Sequence, residues 1–102
     1  MNIQTKTQIE LAVQSFAYVA GQIAKSPCAH YDRITSEADK HRHALRVLLR
    51  DVFEITREKL RSQAITEKTC QRMRKAATYA IAQAEAAITR IAAQYAPQKL
   101  AA

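Results

Sequence analysis

The sequence predicts an all-α fold, an antiparallel three-helix bundle dominated by a long hairpin of its second and third helices. Three observations carry that expectation. Apolar residues recur at alternating three- and four-residue intervals through three separate segments, the spacing of one face of an α-helix. One Gly and two Pro in 102 residues leave almost no turn chemistry for β-hairpins. The joints between the segments are short, so consecutive helices should be antiparallel neighbours.

The first helix is expected over about residues 7–25. Thr5 with Gln8, or Thr7 with Glu10, has the spacing of a capping box. Ile9, Val13, Phe16, Ala20 and Ile23 form its apolar stripe, widened by Ala12, Val19 and Ala24. The opposite face carries Gln, Ser and Tyr rather than charge, which suits a helix covered on two sides.

Ser26-Pro27 then breaks the chain, and two starts compete for the second helix. Pro27 can occupy the first helical position with Ser26 as its cap, giving residues 27–62. Thr35, followed by Ser36, Glu37 and Asp39, offers a cap with an acidic first turn, giving 36–62. The stripe of Tyr31, Ile34, Ala38, His41, Leu45, Leu48, Val52 and Ile55 is unbroken across Thr35, which favours the longer helix. After a turn near residues 62–66, Thr66 should cap a third helix over 67–95, stopped by Pro97. Its stripe is Cys70, Met73, Ala77, Ala80, Ala84, Ile88, Ile91 and Tyr95, and ten of the 21 residues in 76–96 are Ala. Alanine gives helix propensity and lets a neighbouring helix approach closely.

The chain has room for one helical domain, residues 1–102, and a thin core. Its hydrophobic fraction is 48%, but 20 of those residues are Ala and only 21 are Ile, Leu, Val or Phe. A thin core in a small domain is often completed by a second copy or a partner, so a homodimer is expected. No stretch reaches the ~18 apolar residues of a membrane span. Lys6, Glu10 and several Gln interrupt anything like a signal-peptide core, so a cytoplasmic protein without membrane contact is expected.

Catalysis is not expected. The sequence has no glycine loop for phosphate, no paired buried carboxylates and no nucleophile–base set, and three slim helices rarely enclose a pocket for a small-molecule substrate. No cofactor is implied. His30, His41 and His43 lack the i,i+3 or i,i+4 pairing of helical metal sites, and His41 falls on the apolar stripe as a half-buried seam residue. Cys28 and Cys70 would lie near opposite ends of the hairpin, too far apart for a disulfide. Tyr31, Tyr79 and Tyr95 are read as core residues at or near the stripes.

Charge is the informative property. The net charge of +7 favours anionic partners. Arg42, Arg46, Arg50, Arg57 and Arg61 fall within about a quarter of the circumference of the second helix. Some could pair locally, as Arg50 or Arg57 with Glu54. Around the second turn, Arg57, Lys59, Arg61, Lys68, Arg72, Arg74 and Lys75 face only Glu54, Glu58 and Glu67, and a hairpin brings both runs to one end. The N-terminus of the third helix adds partial positive charge there. These ten cations are the candidate site. They point to a non-enzymatic binding protein engaging nucleic acid or a nucleoprotein complex. The alternative is a protein-interaction module, an adaptor, chaperone or inhibitor using its Arg to find an acidic protein surface.

Overall fold

The computed structural model describes residues 3–26 and 30–96. Among them are three α-helices and no strand: α1 (Ile3–Ala24), α2 (His30–Arg61) and α3 (Glu67–Gln94). Every helix packs on both others, in a rod of 59 × 26 × 17 Å. The length is set by α2, whose 32 residues rise about 48 Å. No helix among the described residues is long and apolar enough to cross a membrane.

α1 begins at Ile3, so Thr5 and Thr7 lie inside its first turns rather than at its cap. The capping-box reading of that end is corrected. α2 is continuous through Thr35, whose hydroxyl donates to the Tyr31 carbonyl one turn back (3.0 Å) instead of capping. The Pro27 start and Cys28 lie outside the described residues. At α3 the expected cap is present: Thr66 is extended and its side chain accepts from the Thr69 amide (3.1 Å). In the turn before it, Gln63 takes a positive φ of 62°.

The three stripes meet along the axis. Ile9, Phe16, Ala20 and Ile23 of α1 pack with Ile34, Ala38 and Leu45 of α2 and with Ile81, Ala84, Ile88 and Ala92 of α3. Phe16 is fully buried, its ring 5.5 Å from that of half-buried His41, whose Nδ1 lies 2.7 Å from the Glu37 carbonyl oxygen. The Ala positions of α3 bring it close to α1, with Ile9 and Val13 beside Ala80 and Ala84.

Near the hairpin turn the stripe expectations shift. Thr56 is buried where Ile55 was expected, and Ile55 is 53% exposed. Thr56 turns toward α3, where Arg74 Nε donates to its hydroxyl, while Ile55, one residue further round the helix, lines a cleft with Thr5 of α1, Lys59 and Met73. Beyond that cleft only the hairpin turn and the helix ends beside it continue among the described residues, and Cys70 is buried there outside the main cluster.

A candidate anion-binding surface on the α2–α3 hairpin

The antiparallel register of α2 and α3 is fixed by side-chain contacts along one side of the rod. Arg42 Nη2 donates to Thr89 Oγ1 (2.8 Å), and four residues later Arg46 Nε donates to Glu85 Oε1 (3.2 Å). A step forward on α2 is thus matched by an equal step back on α3. Further along, Arg74 meets Phe53 and Thr56. The same register sets Arg57 and Arg61 level with the first turns of α3, where Lys68 and Arg72 stand.

The ten candidate cations separate into two groups. Arg42 pairs with Asp39 (3.1 Å), Arg46 with Glu85 (3.2 Å) and Arg61 with Glu58 (3.3 Å). Arg74 is structural: its Nε donates to Thr56 Oγ1 (2.9 Å), its Nη2 to the Phe53 carbonyl (3.1 Å), and its guanidinium carbon lies 4.6 Å from the Phe53 ring centroid. The Thr56 hydroxyl passes its own proton back to the Val52 carbonyl (2.8 Å), so this buried polar site is satisfied. Arg74 therefore leaves the candidate set as a helix-to-helix tie.

The other six, Arg50, Arg57, Lys59, Lys68, Arg72 and Lys75, are exposed and engage no carboxylate among the described residues. The local pairs of Arg50 and Arg57 with Glu54 are not formed. Residues 50–75 hold eight cations and four carboxylates, so just over a quarter of the chain carries +4 of its +7 charge. Arg61, Lys68 and Arg72 lie beyond the cleft that Thr5 of α1 shares with the hairpin, and the rest of that charge lies level with it or nearer the body of the rod.

Tyr79 was expected in the core, but it is 69% exposed. With Phe53, Gln71, Lys75, Thr78 and Ala82 it forms an open shelf beside Arg74. The signal was available: two residues past buried Ala77 is 200° around a helix, which turns Tyr79 outward. No group of three His, Cys, Asp or Glu among the described residues could hold a metal ion. Cys70 is free and buried. No protein-family model, curated protein or solved structure matches the chain.

Proposed function

We propose that this is a non-enzymatic binding protein whose hairpin end engages nucleic acid, alone or within a nucleoprotein complex, by neutralising phosphates. The observation that carries the reading is the separation of the cations. Four of the ten are engaged within the fold, and the six that are not lie along the last three turns of α2 and the first three of α3. Solubilising charge has no reason to gather at one end. Unpaired cations at close spacing gain from an external polyanion, which releases its counterions on binding. The sequence carries no helix-turn-helix or zinc-finger pattern that would supply direct base-pair readout in a duplex.

Fluorescence anisotropy with random-sequence strands and duplexes, from low to high salt, tests the reading. With up to six phosphates neutralised, log K should fall against log salt with a slope of about −4 to −5. The pair Arg72→Glu with Lys75→Glu should weaken binding and reduce that slope by about 2 without loss of helicity. Absence of binding at low salt, or an unchanged affinity in the double variant, refutes it.

A protein-interaction module is the second reading, and the outer face of α1 favours it. Leu11 and Tyr18 are 53% and 69% exposed there amid Gln and Ser. That face suits a helix of another protein or of a second copy, and light scattering separates a homodimer from a monomer.

A further inference from the structure

We propose that the Phe53–Tyr79 shelf is a seat for an unpaired base, so that the hairpin binds single-stranded nucleic acid in preference to duplex. The inference rests on the proposed function and narrows it. A surface that only neutralises phosphate needs no aromatic ring. Here a tyrosine that contributes nothing to the core stands exposed at the body-side edge of the cationic region, on an open concavity of roughly 510 Å³.

The surface the shelf presents is almost wholly apolar, which suits the face of a base rather than its edge. Phe53, already covered on one side by the Arg74 guanidinium 4.6 Å from its ring, lines it together with Tyr79 and Ala82, and Lys75 stands beside them. On α2, Arg50 and Arg57 lie three residues before and four residues after Phe53, hence on the same side of the helix and one turn to either end of it. Both are unpaired. A strand laid along the hairpin would place phosphates on Arg50, Arg57 and Lys75 and turn a base onto Tyr79.

The same geometry disfavours duplex as the occupant. Bases in a duplex are stacked against one another, and reaching the Tyr79 face would require unpairing one. Single strands present their bases freely, and aromatic side chains beside a cationic track are how proteins hold them without sequence preference. An acidic amphipathic peptide is the competing occupant, with apolar side chains on the shelf and carboxylates on its rim.

Anisotropy with four probes decides: a mixed-sequence 12-mer strand, an abasic strand with the same phosphates, a 12-base-pair duplex and an acidic amphipathic peptide. Wild-type protein should bind the strand at least about fivefold more tightly than the abasic strand. Tyr79→Ala should remove that difference and leave abasic and duplex binding unchanged, whereas Tyr79→Phe should preserve it. Arg57→Glu with Lys75→Glu should weaken all three nucleic acids. Equal affinity for based and abasic strands, or a Tyr79→Ala variant indistinguishable from wild type, overturns the base seat while salt-dependent binding keeps the phosphate reading. Failure to bind any nucleic acid at low salt overturns both. Binding of the peptide in place of the strand assigns the shelf to a protein instead.

Discussion

Replacing Arg74 with alanine should destabilise the fold far more than replacing any of its cationic neighbours. The side chain joins α3 to α2 through two hydrogen bonds, to Thr56 Oγ1 at 2.9 Å and to the Phe53 carbonyl at 3.1 Å. Hydrogen bonds to a charged group contribute about 1.5–3 kcal/mol, and a guanidinium over a partly exposed ring adds roughly 0.5–1 kcal/mol. Two effects oppose them. Holding the long side chain in one arrangement costs up to about 2 kcal/mol of rotamer entropy, and removing one cation relieves repulsion at a crowded end. Thr56 keeps its bond to the Val52 carbonyl, so no buried group is left unpaired. The net loss should be about 2 kcal/mol, or a fall of about 8–16 °C in Tm for a domain of this size. Urea unfolding followed by circular dichroism measures it, with Arg72→Ala and Lys75→Ala as controls that should stay within about 0.5 kcal/mol of wild type. Arg74→Lys should recover less than half of the loss, since an ammonium cannot reproduce the planar contact. If Arg74→Ala costs no more than Arg72→Ala, the tie is decorative and Arg74 belongs with the free cations.

Three further outcomes follow from the same structure. Phe16→Ala empties the best-buried ring of a thin core and should cost about 3–5 kcal/mol, enough to leave a poorly cooperative thermal transition by circular dichroism. Thr66→Ala removes the acceptor for the Thr69 amide and should lower the urea midpoint by the equivalent of about 1 kcal/mol, whereas Thr66→Ser or Thr66→Asp should not. Gln63→Gly should raise stability by up to about 1 kcal/mol because the φ of 62° is unfavourable for a residue with a side chain, and Gln63→Val should lower it; equal midpoints for the two would contradict the turn geometry.

Periodicity made most of the fold legible. The first stripe put Ile9, Phe16, Ala20 and Ile23 inward, and all four are buried. The unbroken stripe across Thr35 outweighed a sound local cap, because a hydroxyl that can donate one turn back has no need to end the helix. What the sequence did not carry was the extent of each neighbour. Thr5 and Thr7 have capping chemistry, yet the helix starts earlier, and nothing local distinguishes a cap from a first-turn threonine. Ile55 satisfies the stripe as well as Thr56 does, and the choice between them depends on Arg74 arriving from α3. The site was legible as a cluster but not as a sorted one. Arg46 finds its carboxylate 39 residues away on α3, and Arg74 looks in sequence like any other cation of its run.

The division of the rod explains why the charge can sit where it does. Along the body, three helices share a core whose buried alanines demand close approach, so a cation there must either snorkel outward or find a carboxylate, as Arg42 and Arg46 do. Past the first turn of α1 only α2 and α3 remain among the described residues. Side chains there have solvent on most sides, and mutual repulsion is reduced by water and salt to a fraction of a kcal/mol for each pair. The hairpin end can therefore hold several unpaired cations at small cost, provided something keeps the two helices together. Cys70 supplies little area, and the Arg74–Thr56–Phe53 contact ties α3 to α2. Stability and charge are in this way carried by different residues. Reversing Arg72 and Lys75 should change what the surface attracts without reaching the core, while changing Arg74 should loosen the surface itself.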